Sequence, residues 1–135
     1  MGMLVFGTLH TNSAAKTIDR LIDVFPADEQ PQARLSLADS LAAIVAQLLL
    51  PRASGDGRVA VHEILLKTPA LPNLIRESSI SMLVNLMQSG RSEGMQLLDD
   101  ALLELVAKKI VTPRDAYMKA QEKSRFEPLI EKEKE

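Results

Sequence analysis

Residues 4–13 constrain the fold more than any other stretch. Leu4-Val5-Phe6-Gly7-Thr8-Leu9 is a short apolar run rich in β-formers. It passes directly into His10-Thr11-Asn12-Ser13, whose hydroxyl and amide side chains are of the kind that cap helices. Ala14, Ile18, Leu21, Ile22 and Phe25 then follow helical spacing up to Pro26. The pattern predicts a buried strand that delivers a polar tip into a helix N-terminus, half of a parallel β–α unit. Ligands of such sheets collect outside the carboxyl ends of the strands, so residues 10–13 are the first place to look for chemistry. A strand this apolar also expects neighbours on both edges and cover on both faces. Each parallel neighbour needs its own crossover, so several β–α units are expected ahead of Met1.

Composition removes whole classes of function. The 135 residues match one ordinary domain, and the absence of Cys excludes disulfide frameworks, zinc ribbons and thiol catalysis. Two His residues do not make a structural metal site. Lys plus Arg is 16 against 18 Asp plus Glu, a net charge of −2 that lacks the footprint of a nucleic-acid binder. The most apolar stretch, Leu41 to Leu50, is far shorter than a spanning helix and contains Gln47, so no membrane insertion is expected. No signal-peptide pattern opens the chain, and the expected location is cytoplasmic.

Beyond Pro26 the pattern reads as helical from Ala27 to Leu50, with Leu37, Leu41, Ile44, Val45 and Leu48 forming one stripe. Pro51 to Arg58 is a turn rich in Gly and small polar residues, and Arg58 to Leu66 reads as a strand. If Gln47 to Arg52 is extended, the two segments make a hairpin about Ser54-Gly55-Asp56-Gly57. The remainder reads as short helices: Ala70 to Glu77 after a Thr68-Pro69 start, Ile80 to Met87 capped by Ser78 or Ser79, and about Met95 to Lys109. A last helix begins at Thr112-Pro113 and reaches about Glu122, and the charged run 131–135 is expected to fray.

His10 with Thr8 and Thr11 is the leading constellation, because an imidazole beside hydroxyls and helix-start amides can contact a terminal phosphate. The competing reading has His10 capping the helix or bonding a neighbouring loop. His62 and Glu63 point to opposite faces of a strand, which makes His62 structural and Glu63 a buried ion-pair partner for Arg58 or Arg52. In Ala70 to Glu77, Leu71, Leu74 and Ile75 share helical spacing with Asn73, Arg76 and Glu77 outward. That segment is either a solvated helix or a contact surface. The Gly90 to Gln96 loop reads as a connector, and no Gly-x-x-x-x-Gly-Lys-Ser/Thr string occurs anywhere in the chain.

Gly2 to Ala14, followed by Lys16-Thr17-Ile18-Asp19-Arg20 and Val24-Phe25-Pro26, resembles the His box region of the type IV pilus retraction ATPases, the PilT/PilU branch of the secretion ATPases. The likeness runs on through Ser40 to Gln47, Gly57 to Ile64, Thr68-Pro69-Ala70 and Gly94 to Asp99. The resemblance implies an α/β, mostly helical fold: part of a RecA-like P-loop NTPase domain with a β-hairpin and a C-terminal helical bundle. The expected division is 1–66 for the ATPase core portion, 67–125 for the helical subdomain and 126–135 for a charged tail. His10 then holds the place of the γ-phosphate-sensing histidine, with Thr8 and Thr11 near the nucleotide. Asn73, Leu74, Ile75, Arg76 and Glu77 match a motif associated with retraction. ATP and Mg²⁺ are the family's ligands, and a hexamer working at pilus-base proteins of the inner membrane is its assembly.

Two departures bear on these expectations. Met3 stands where the family's first His-box histidine usually stands, and Pro72 replaces the first arginine of the retraction motif. The phosphate-cradling and acidic motifs of the family lie upstream of the His box, so the 135 residues alone are expected neither to bind ATP tightly nor to hydrolyse it. The alternative is a stand-alone regulatory module whose helical region binds motor subunits or pilus-base proteins.

Overall fold

The computed structural model describes residues 2–135. Its frame is an antiparallel hairpin of β1 (Ala43–Pro51) and β2 (Arg58–Leu66), in register from Ala43 opposite Leu66 to Pro51 opposite Arg58. Gly55 and Gly57 take φ of +78° and +83° in the connecting turn, a region closed to most side chains. The hairpin is longer than the sequence pattern suggested, and its first strand occupies residues read there as helix. In a run this uniformly apolar, helical and alternating spacing both fit, so pairing with β2 decides the outcome. Burial along β1 then alternates, with Ile44, Ala46 and Leu50 inward and Val45, Gln47 and Leu49 outward.

Helix α1 (Ala14–Asp23) forms where the spacing placed it, and α2 (Gln30–Ser40) follows as a shorter helix than expected. Residues 4–9, expected to be a strand, carry no regular secondary structure, and Phe6 is 89% exposed. A strand is held by its ladder. Among the described residues nothing lies alongside this segment to complete one, so its β propensity has no expression.

The remaining helices are α3 (Leu71–Arg76), α4 (Leu83–Ser89), α5 (Leu98–Ala107), α6 (Pro113–Lys119) and α7 (Glu127–Glu133). Thr112 caps α6 through its hydroxyl as expected, accepting from the Asp115 amide at 3.1 Å. Thr68 does not cap α3: its carbonyl accepts from Leu71 N, and its buried hydroxyl finds no partner. Neither Ser78 nor Ser79 caps by side chain. A 3₁₀ turn at Ile80–Met82 leads into α4 instead. Helix α5 begins later than expected because Gln96 is drawn out beside β2, exchanging two backbone bonds with Ile64 at 2.8 and 3.0 Å. The terminal run is helical as far as Glu133, anchored by fully buried Phe126.

Two apolar cores meet on the inner face of the hairpin. One gathers Ile18, Ile22, Ile44, Leu65, Leu71 and Ile75, and the other Leu50, Val61, Leu98, Leu102, Val111 and Phe126. Since Val61 and Leu65 belong to different cores, the inward residue between them, Glu63, sits at the seam.

Candidate functional site

The polar tip that precedes α1 is held by a short chain of hydrogen bonds. Ser13 Oγ accepts from Lys16 N at 3.0 Å, Thr17 Oγ1 donates to the Ser13 carbonyl at 2.8 Å, and Thr11 and Thr17 share a hydroxyl contact of 2.5 Å. From this tip His10 projects into solvent at the mouth of an open groove of about 660 Å³. Thr11, Asn12, Lys16, Arg20 and Gln47 also line it. Thr8 is exposed and outside the groove, so His10 and Thr11 are brought together and Thr8 is not. Asp19 and Asp23 follow further along α1 and offset the two cations. The donors of His10, Thr11 and Lys16 therefore cluster at the N-terminal end of the helix, where an anion is favoured.

Glu63 supports this tip from beneath. Its Oε1 accepts from Ala14 N at 2.9 Å and its Oε2 from Leu98 N at 3.0 Å, at the first residues of α1 and α5. This corrects the expected ion pair with Arg58 or Arg52, which lie exposed at the turn that closes the hairpin. Both carboxylate oxygens are already taken by amides, and Ala46 opposite leaves them room. His62 faces the other way and hydrogen-bonds Gln47 across the register at 2.9 Å, the structural role expected of it.

The model of the type II/IV secretion system protein family matches residues 1–122. The chain belongs to that family. It is 49% identical over 120 residues to a twitching motility protein of Neisseria gonorrhoeae, a match covering 89% of this chain and 32% of the relative. Against the type IV pilus retraction ATPase PilT of Pseudomonas aeruginosa identity is 51% over 120 residues, covering 89% and 35%. The crystal structure of the pilus retraction motor PilT with bound ADP superimposes with a TM-score of 0.80 at 38% identity, over 93% of this chain and 34% of that one. The chain thus spans 32% and 35% of the length of the two relatives.

In this secretion-family chain the residues expected to match a retraction motif form a separate cluster. Arg76 donates to Asn73 Oδ1 at 3.0 Å and to Asp39 Oδ1 at 2.6 Å, joining α3 to α2. Ile75 is fully buried core, Leu74 is half-buried, and Glu77 is exposed. Arg76 is therefore engaged within its own chain, which weakens the case for a free docking arginine. The spacing of Asn73 and Arg76 allows their pairing on one helix face, whereas Asp39 is distant in sequence and carried no signal.

Two further acids were missed by the sequence reading. Buried Asp99 accepts from Gln121 N and Glu122 N, both at 2.8 Å. Its neighbour Asp100 pairs with Arg91 and, at 2.7 Å, with Arg125. Burial pushes the Asp100 carboxyl up, but hydrogen bonds and charge from Arg125 and Arg91 outweigh it and hold the group below the usual carboxylate range.

Proposed function

We propose that the chain contributes to an ATP-driven motor of type IV pilus retraction, facing the nucleotide's terminal phosphate with His10 and Thr11. One observation carries the reading: identity of 49% and 51% over 120 residues to relatives named for twitching motility and pilus retraction. The groove beside α1 supports it, since an imidazole, a hydroxyl and the Lys16 ammonium offer donors to phosphate oxygens. The RecA-like architecture, the hexameric ring, the cytoplasmic site at the pilus base and the base proteins as partners belong to the same proposal.

The chain's own chemistry in this role is recognition. His10 and Thr11 can bond phosphate oxygens and Lys16 can offset their charge, while the sequence lacks the glycine-rich string that would wrap the phosphates. Among the described residues no three His, Asp or Glu side chains form a group that could hold a metal by themselves, and a Mg²⁺ arriving with ATP would be held mainly by phosphate oxygens and water.

Two measurements test the proposal. ATP added without Mg²⁺ to the isotope-labelled 135-residue protein should shift the His10, Thr11 and Lys16 signals, and signals that stay put at saturating ATP would sink the phosphate-facing role. Phosphate release from Mg²⁺-ATP should remain at background with this protein alone. Mg²⁺-dependent turnover would show that the chain is a self-sufficient ATPase.

A further inference from the structure

Glu63 is buried on the hairpin at the seam between two cores, yet its acceptors are spent on backbone amides of two helices. One of those amides, Ala14 N, directly follows the His10–Ser13 tip. The other, Leu98 N, opens α5, whose next residue Asp99 holds Gln121 N at 2.8 Å. Gln121 in turn donates from its side chain to the Asn12 carbonyl at 3.4 Å. The start of α5 thus grips the tip at two points, directly through Glu63 and indirectly through Gln121. An apolar residue at 63 could fill the same face but would leave two buried helix-start amides without acceptors.

We propose that Glu63 is a positioning residue for His10: by tying the start of α1 to the start of α5 it fixes where the tip presents its donors. The inference rests on the phosphate-facing reading of the groove. Glu63 does not touch the ligand and acts only through the backbone it holds. Its replacement by Gln keeps one acceptor but sets an amide N–H against the second backbone N–H, so one of the two ties must open.

The test uses the full, isotope-labelled chain. In Glu63→Gln, hydrogen exchange at Ala14 or Leu98 should quicken by about tenfold or more. The ligand-free signals of His10 to Ser13 should move, and half-saturation of the His10 shift by inorganic phosphate should rise by about fivefold, as expected when one charge-assisted tie is lost. Thr112→Ala, which removes the cap of α6 and breaks no bond to α1 or α5, serves as the control for lost stability and should leave the tip signals and phosphate response in place. The proposal falls if Glu63→Gln leaves the tip signals unmoved, or if Thr112→Ala moves them equally. If phosphate has no effect on the unmodified chain, the phosphate-facing reading fails, and the ligand-free tip signals still decide the role of Glu63. If Glu63→Gln does not fold, Ala14→Pro removes a single donor at a first helical position that proline tolerates, after a Ser13 already extended at φ −147° and ψ 153°. It should displace the same tip signals, and their constancy would equally overturn the proposal.

Discussion

Asp99 and Asp100 are adjacent acids in the first turn of α5, and the structure predicts that losing them has very different consequences. Asp99 is 6% exposed and accepts two backbone amides at 2.8 Å, one on each oxygen. Asp99→Asn retains one acceptor and turns an N–H donor toward the other amide. A hydrogen bond to a charged group contributes about 1.5–3 kcal/mol, and the lower end applies because exposed Gln121 and Glu122 can hydrate once released. The expected cost is therefore about 2 kcal/mol. Asp100 bonds side chains instead: Arg91 is 60% exposed and Arg125 31%, so Asp100→Asn should cost about 1 kcal/mol or less. Urea unfolding followed by circular dichroism gives both values. Limited proteolysis adds a local readout, with cleavage between Met118 and Lys123 accelerated in Asp99→Asn and little changed in Asp100→Asn. The reasoning is refuted if Asp99→Asn lies within about 0.5 kcal/mol of the unmodified protein, a size typical of surface substitutions, or if Asp100→Asn costs more.

The depressed carboxyl of Asp100 also predicts a pH dependence. Such a group binds fewer protons folded than unfolded, so its contribution is complete above the unfolded value near about 4 and fades as pH falls through the lower folded one. Urea midpoints measured from neutral pH into acid should converge for the unmodified protein and Asp100→Asn at the acid end, and parallel curves would count against the Arg pairs. At the other end of the bundle, Thr112→Ala removes the acceptor of Asp115 N and should cost about 1 kcal/mol in the same assay.

Short-range chemistry was legible in the sequence. Ser13 and Thr112 cap where a hydroxyl stands before a periodic segment, and Arg58 to Leu66 is a strand with the predicted limits. Errors arose where an outcome depends on a distant partner. Ala43 to Pro51 satisfies two periodicities and becomes a strand because β2 pairs with it. Leu4 to Leu9 satisfies the strand pattern and remains without a ladder because nothing described flanks it. Met95 and Gln96 have the makings of helix, but two backbone bonds to Ile64 hold Gln96 extended. Propensity stated what each segment could become, and pairing selected among the possibilities.

The candidate site divides along the same line. The position of His10 and Thr11 just before a helix was legible because polar residues between an apolar run and a periodic segment mark a helix start, and the structure brings the two into one groove. Glu63 was read for its charge alone, and a buried charge suggests a counter-ion. The structure answers that charge with helix geometry: each helix start leaves unpaired N–H groups, and two starts converge on the seam. Burying a carboxylate there is costly, and two amide bonds at 2.9 and 3.0 Å offset the cost only while both helices keep their places. Glu63 is consequently one of two links, with Gln121, between the start of α5 and the residues before α1.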